Sequence, residues 1–204
     1  VDTVKIEGKT ILEIGLGSGN LTSFIYKKKP KKIFVIEKDD DLALLLKEKF
    51  DNEINIINDD VLNIDANKIC NEKLTVFGNL PYNISTEILS KWIIRLNNEF
   101  WFDSLVLMFQ KEVADRILSK FNSHLYGSLS ILANWKLKID KICDIKPNSF
   151  SPKPKIDSSL LYFRPKKNFP IFQESINLEK ITRIFFNHRR KMIRKPFNQI
   201  FNGN

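Results

Sequence analysis

A doubly wound α/β fold, built on a mostly parallel sheet with helices on both faces and an antiparallel edge, is what this sequence predicts. Three observations carry the prediction. Short apolar, β-branched runs alternate with longer amphipathic ones; the first apolar run opens directly into a glycine-rich turn; and the last two strand-like runs follow closely with no long helix between them. A strand, a crossover helix and a parallel strand connect right-handedly, so the alternation covers both faces of one sheet, whereas two closely spaced strands pair antiparallel.

Residues 10–14, 32–37, 54–58, 74–78 and 104–110 read as the parallel strands. Residues 19–26, 42–50, 84–96 and 111–119 carry the helical periodicity, with Asp39, Asp40 and Asp41 offering N-caps ahead of Leu42. A further helix over 127–134 precedes the two edge strands, 136–145 and 158–164. Over residues 165–170 the chain turns Pro- and Lys-rich, and a helical pattern resumes at Leu178. Residues 1–166 are therefore expected to form the main domain. Residues 167–204 form a helical element too short for a core of its own, which packs on the main domain or belongs to something larger.

With 204 residues, 43% hydrophobic and 11% aromatic, the chain has material for one substantial core. Lys and Arg outnumber Asp and Glu by 33 to 24, a net charge of +9 that suits a polyanionic partner or else only a solvated basic surface. Cys70 and Cys143 stand far apart, which fits a reducing compartment without disulfides; neither they nor His124 and His188 have the spacing of a metal site. The longest apolar runs, such as residues 105–109, fall far short of the roughly 20 residues of a membrane span. A soluble, cytoplasmic protein with no membrane or metal partner is expected, or an organellar one if a targeting segment lies upstream.

Residues 10–14 run into Gly15-Leu16-Gly17-Ser18-Gly19, where a backbone without side chains lets a ligand approach closely; a tight structural turn is the alternative. Glu37 ends the second strand 22 residues after Gly15, where a carboxylate can accept from the two ribose hydroxyls of an adenosine. Dinucleotide dehydrogenases and methyltransferases share this arrangement, although Asn20 departs from the G-x-G-x-x-G dinucleotide fingerprint. Asp60, after the third strand, is placed to accept from an adenine amino group or to serve as a plain loop carboxylate or cap.

The most specific signal is Asn79-Leu80-Pro81-Tyr82 after the fourth strand. An amide oxygen and nearby backbone carbonyls can accept from a planar amino group while Tyr82 offers a face for a base. An exocyclic amine of adenine is a poor nucleophile because its lone pair is delocalised into the ring. Two acceptors favour a more tetrahedral nitrogen, and transfer then needs geometry more than a strong base. A Pro-containing turn with a core Tyr is the alternative for this tetrapeptide alone. Four such positions at the ends of strands one to four share one sheet edge, where a doubly wound fold places its ligand crevice.

With these residues in view the sequence resembles the ribosomal RNA adenine-N6 dimethyltransferase family, in its small-subunit (KsgA-type) branch, over nearly the whole chain. Residues 13–19, Glu37, Asp60-Val61-Leu62 and Asn79-Leu80-Pro81-Tyr82 match its cofactor and catalytic motifs in order and spacing. Gln110-Lys111-Glu112-Val113 and Tyr126-Gly127-Ser128-Leu129-Ser130 look like segments of this branch, whereas large-subunit, antibiotic-resistance relatives usually lack the Q-K-E-V segment and the Arg-Arg-Lys motif. Residues 150–158 are similar to the family's F-x-P-x-P-K-V-x-S loop, and Phe186-Asn187-His188-Arg189-Arg190-Lys191 to its F-x-x-R-R-K motif.

The resemblance implies a class I, Rossmann-like methyltransferase fold with an antiparallel edge strand and the beginning of a C-terminal helical domain. It implies S-adenosyl-L-methionine as cofactor, held by Glu13, Gly15, Gly17, Gly19, Glu37, Lys38, Asp60, Val61 and Asn79. The target adenine would be held by Asn79, Leu80, Pro81 and Tyr82, with Phe150 stacking opposite Tyr82 or, alternatively, plugging a Pro-stiffened loop. Small-subunit ribosomal RNA in a pre-30S-type particle would be the partner of a monomer, contacted by Lys111, Lys153, Lys155, Arg189, Arg190, Lys191 and Arg194. Residues 180–195 hold seven basic residues and no acidic one, which suits phosphate contact or a solvated helix face. Two departures stand out: the Q-x-F-L segment that the family places before strand one is not in the chain, and only the start of the C-terminal domain is. A non-catalytic ribosome-assembly factor and a nicotinamide-dependent dehydrogenase are the rival readings, and cofactor titration separates the latter.

Overall fold

The structure, a computed structural model, describes residues 3–15, 17, 19–51, 53–96, 99–150, 152–189 and 191–201. The chain forms β1 (Thr10–Ile14), α1 (Asn20–Lys27), β2 (Lys32–Glu37), α2 (Asp40–Phe50), β3 (Asn55–Asn58), β4 (Leu74–Gly78), α3 (Ser85–Arg95) and β5 (Phe102–Gln110). It continues through α4 (Lys111–Leu118), α5 (Ser128–Lys136), β6 (Leu137–Ile145), β7 (Ser158–Pro165), α6 (Ser175–Asn187) and α7 (Arg194–Phe201). One seven-stranded sheet runs β3-β2-β1-β4-β5-β7-β6. The first five strands in chain order are parallel, and β7 and β6 close one side in antiparallel pairing.

Strand composition follows position in the sheet. Every residue of central β1 and β4 is buried, which is why both are mostly apolar, with Thr10, Glu13 and Thr75 as polar exceptions. Edge strand β6 instead exposes Lys138, Asp140, Lys141 and Asp144, charges that discourage pairing with another chain. Alternation along β1 divides its side chains between two cores. Leu12 and Ile14 join Val76, Trp92, Ile117 and Leu132 on the side of α3, α4 and α5; Ile11 joins Ile25, Val35, Leu46 and Phe77 on the side of α1 and α2. Asp39 caps α2, its carboxylate accepting from the Leu42 amide at 3.0 Å.

β5 begins at Phe102, two residues before the sequence expectation, because Asp103 interrupts the apolar pattern. The pairing shifts register there, with Phe102 opposite Leu74 and Ser104 opposite Thr75. Thr75 Oγ1, Ser104 Oγ and Lys9 Nζ donate to the Asp103 carboxylate at 2.7, 3.0 and 2.5 Å, so the charge is satisfied inside a strand. α7 is a separate helix that the basic tail did not announce.

After β7 the chain returns across α5, where Trp135 Nε1 donates to the Pro170 carbonyl at 2.7 Å. α6 then packs against α3 and α5, and α7 against α6. Lys136, only 3% exposed, fastens this seam. Its ammonium donates to the carbonyls of Leu96 and Ile93 at the end of α3 and to Ser175 Oγ at the start of α6, and lies 4.0 Å from the Trp135 ring centroid. Burial pushes Lys136 down to about 8, and the helix-end carbonyls are the partners that favour keeping its charge. No helix among the described residues is long and apolar enough to cross a membrane.

Lys136→Ala should lower the free energy of unfolding by about 2 kcal/mol in urea denaturation, because it strands carbonyls inside the seam. Lys138→Ala, on an exposed position of β6, should stay within about 0.5 kcal/mol of the parent protein. Equal effects would show that the buried ammonium fastens nothing.

Candidate active site

Strand order reverses between β1 and β4, so the loops leaving their C-terminal ends diverge and open a crevice. The two loops are nonetheless joined at their roots. The Asn79 amide, one residue past β4, donates to the carbonyl of Ile14, the last residue of β1, at 3.0 Å. Gly15 lies at φ +74°, and a Cβ there would run into the Asn79 carbonyl oxygen. Only glycine satisfies both the left-handed backbone and the close approach. Gly19, also left-handed at φ +70°, starts α1 hard against Leu46 of α2, whose Cδ2 would lie 2.8 Å from an added Cβ.

Two adjoining cavities occupy the crevice. One, of about 250 Å³, is lined by Gly15, Glu37, Lys38, Asp60, Val61 and Pro81 among others. The second, of about 370 Å³, shares Gly15, Glu37 and Pro81 and adds Gly17, Asn79, Tyr82 and Phe150. A third space of about 210 Å³ lies against Asn79, Met108 and Phe150. The fold thus brings together residues that the sequence scatters from 15 to 150. A larger hollow of about 630 Å³ between α5 and the 166–172 segment holds none of them.

The polar groups of the first cavity are oriented by the backbone. Glu37 Oε1 accepts from the amides of Lys38 and Asp39 at 2.9 and 3.0 Å, leaving Oε2 as the acceptor for a ligand's hydroxyls. Asp60 accepts from the Leu62 amide at 2.9 Å and from Lys38 Nζ at 3.0 Å; the amide first and then the ammonium hold its carboxyl below the usual range. Lys38 is thereby an internal partner of Asp60, and the two share one wall.

Glu13 lies beneath this crevice on the α1 side of β1, fully buried. Burial pushes its carboxyl up to about 7, the nearby Thr22 hydroxyl offsetting a part. Neither Glu13 oxygen closes a hydrogen bond to a described residue, and neither does Thr22 Oγ1. Two residues before Gly15, this carboxylate is therefore a buried polar group whose cost is not met by a hydrogen bond among the described residues.

In the second cavity Asn79 is exposed while Leu80, 1% exposed, anchors the loop in the core. The Pro81 carbonyl accepts from the Ile84 amide at 3.1 Å as α3 begins. A carbonyl oxygen can accept twice, so Pro81 stays in the expected acceptor set, while the Asn79 side-chain amide and the Leu80 carbonyl have no hydrogen bond to another described residue. Tyr82 and Phe150 line the same space with Pro152 and Pro154, and the Tyr82 hydroxyl shares a 2.6 Å hydrogen bond with Ser158 Oγ.

The basic residues expected to touch RNA divide into two kinds. Lys153 and Lys155, beside Phe150, and Lys191 and Arg194, after α6, are exposed. Lys111 is instead paired with Asp144 at 3.1 Å and Asp115 at 3.7 Å. Arg189 donates to the carbonyls of His124 and Ser123 at 2.7 and 3.3 Å, tying α6 to the α4–α5 loop. Arg190 lies outside the described residues. Met108, Pro152, Pro154 and Ser158 also border the site without having been singled out. The prolines and the serine sit inside a quoted motif, whereas Met108 hides in the apolar run of β5.

Comparison with known proteins sharpens this picture. The profile of the family described as "Ribosomal RNA adenine dimethylase" matches residues 1–204. The chain is 68% identical over 203 residues to Ribosomal RNA small subunit methyltransferase A of Pelagibacter ubique (strain HTCC1062), covering 100% of this chain and 78% of that protein. The protein of the same name from Prochlorococcus marinus (strain AS9601) is 44% identical over 200 residues, covering 95% and 73%. The crystal structure of a dimethyladenosine transferase from Plasmodium falciparum superposes with a TM-score of 0.74 at 30% identity, over 95% of this chain and 69% of that one. The 23S rRNA methyltransferase ErmE shares the fold, with a TM-score of 0.70 at 21% identity.

The raised pKa of Glu13 has a definite thermodynamic sign. The folded state holds this proton more tightly than the unfolded chain, so the contribution is fully present below about pH 4.5 and is lost as pH rises to about 7. Glu13→Gln, which cannot ionise, should match the parent protein in urea denaturation at pH 4.5. At pH 8 it should exceed the parent by up to about 3 kcal/mol. A gap that does not change with pH would show that the carboxylate is not penalised by burial.

Proposed function

The chain belongs to the ribosomal RNA adenine dimethylase family, and from that premise we propose that it transfers methyl groups from S-adenosyl-L-methionine to N6 of adenine in small-subunit ribosomal RNA. We take it to act as a cytoplasmic monomer on the assembling, pre-30S-type particle. The observation that carries the reading is the backbone junction of Gly15 and Asn79, which puts the ligand turn and the amine-accepting amide at one crevice.

The residues present suit the cofactor. Glu37 Oε2 would accept from its ribose hydroxyls, Asp60 and the Val61 region would border its adenine, and the glycine turn leaves room for its methionine portion. The Glu13 carboxylate, without a hydrogen bond among the described residues and two residues before that turn, suits a ligand that carries both an ammonium and a sulfonium. When bound, S-adenosyl-L-methionine supplies an electrophilic methyl group.

The chain's own contribution is to hold the nucleophile. The Asn79 side-chain oxygen and the Leu80 carbonyl accept the two hydrogens of the adenine amine, drawing its nitrogen away from planarity so that the lone pair points at the methyl group. No side chain in the crevice has to act as a strong base, since the alkylated nitrogen is acidic and gives its proton to water. After one transfer the amine keeps one N–H for these acceptors; after two it keeps none, which weakens the hold on the finished product. Reaching this position requires the adenine to leave its stack at a cost of a few kcal/mol, which contact with Tyr82 and Phe150 offsets. The exposed Lys153, Lys155, Lys191 and Arg194 supply phosphate contacts around it.

Nucleoside mass spectrometry of undermethylated small ribosomal subunits, incubated with the protein and S-adenosyl-L-methionine, should reveal dimethyladenosine. Asn79→Ala should abolish the product yet bind the cofactor within a few fold of the parent. Modification of large-subunit RNA alone would overturn the substrate assignment, and unchanged turnover of Asn79→Ala would overturn the role of that amide.

A further inference from the structure

Tyr82 could present its ring to a base equally well as a phenylalanine, so its hydroxyl calls for a separate account. That hydroxyl shares a 2.6 Å hydrogen bond with Ser158 Oγ, and Ser158 is 0% exposed. Ser158 is the first residue of β7 and pairs with Gln110, the last residue of β5, and with Ile145, the last of β6. Because β7 runs against the parallel strands, it starts at the sheet edge where they end. Its first side chain therefore stands at the rim of the crevice.

The segment that arrives at Ser158 carries Phe150. Its two ends are clamped: Lys146 Nζ and the Asp157 carboxylate meet at 2.6 Å, and the Lys111 amide donates to the Asp157 carbonyl at 2.9 Å. The next residue, Ser159, has its hydroxyl committed elsewhere, donating to Asp144 at 2.6 Å. The Ser158 hydroxyl thus links the end of this segment to the β4 loop, and through it the wall bearing Phe150 is tied to the wall bearing Tyr82.

We infer that Ser158 is a positioning residue: its hydroxyl fixes the Tyr82 ring, and with it the gap between Tyr82 and Phe150 into which the target base inserts. The inference rests on the methyltransferase reading above, in which those two rings hold the base. A ring pinned at both ends cannot swing into the crevice or collapse onto Phe150, so the slot is formed before the base arrives and less ordering is required on binding.

The test combines a spectrum with kinetics. Tyr26, Tyr82, Tyr126 and Tyr162 are the only tyrosines of the sequence, so ring ¹³C labelling gives a spectrum that site variants can assign. Ser158→Ala should shift and broaden the Tyr82 resonance and leave the other three in place. On undermethylated small subunits it should slow methylation by about five- to tenfold, the scale of one lost hydrogen bond, with cofactor affinity within twofold. Tyr82→Phe breaks the same bond from the other side without opening a buried hole and should show the same loss, and the double variant should lose no more than either single one. An unmoved Tyr82 resonance in Ser158→Ala, or additive losses in the double variant, would overturn the inference. Should the parent protein methylate nothing, the functional reading falls, while the spectrum still decides whether Ser158 fixes the ring.

Discussion

The active site depends on one backbone contact, the approach of the Asn79 carbonyl to the α-carbon of Gly15, sealed by the Asn79 amide on the Ile14 carbonyl. Doubly wound sheets open a crevice wherever strand order reverses, and the crevice is useful only if the two diverging loops keep a fixed relation at their roots. Here the first residue after β4 is still hydrogen-bonded to the last residue of β1. The glycine turn and the Asn79-Leu80-Pro81-Tyr82 loop, to which we assign the cofactor and the amine, are therefore joined at their roots. Glu37 and Asp60 are set by neighbouring strands of the same parallel sheet, with their carboxylates oriented by local amides.

This arrangement sets stability against function at identifiable residues. Glu13 is buried without a hydrogen bond to any described residue, and Gly15 adopts a conformation that other residues reach only with strain. The surrounding scaffold offsets these costs with two continuous cores on either side of β1 and β4. Polar groups away from the crevice are used more economically. Lys136 fastens α6 to α3, Arg189 fastens it to the α4–α5 loop, and Asp144 gathers Lys111, Lys141 and Ser159 beside the segment that bears Phe150. Much of the chain's positive charge near the site thus works within the molecule.

What the sequence made legible was what depends on local pattern. β1 and β4 are predominantly apolar runs, the glycine turn follows β1 directly, and Asn79-Leu80-Pro81-Tyr82 follows β4, so the strand-end positions of the crevice could be named in advance. Asp103 concealed the start of β5 because its three hydrogen-bond donors come from β4, from its own neighbour and from before β1. Lys111 and Arg189 carry the right charge for RNA, yet Asp144 and the His124 carbonyl, which hold them by hydrogen bonds, are 33 and 65 residues away, a distance no periodicity reports. Ser158 reads as the last letter of a loop motif; that its hydroxyl meets Tyr82 follows only from the antiparallel return of β7 to the crevice edge.

The most direct test of this account is Gly15→Ala, a single methyl group placed where the two loops meet, followed by titration with S-adenosyl-L-methionine and by methyl transfer to undermethylated small subunits. The account predicts that cofactor affinity and transfer fall together, each by more than about tenfold, while the far-ultraviolet circular dichroism of the sheet and helices is retained, because the added methyl strains the junction and not the cores. Transfer at the parent rate with full cofactor affinity would contradict it, since the crevice would then not depend on the contact between Gly15 and Asn79.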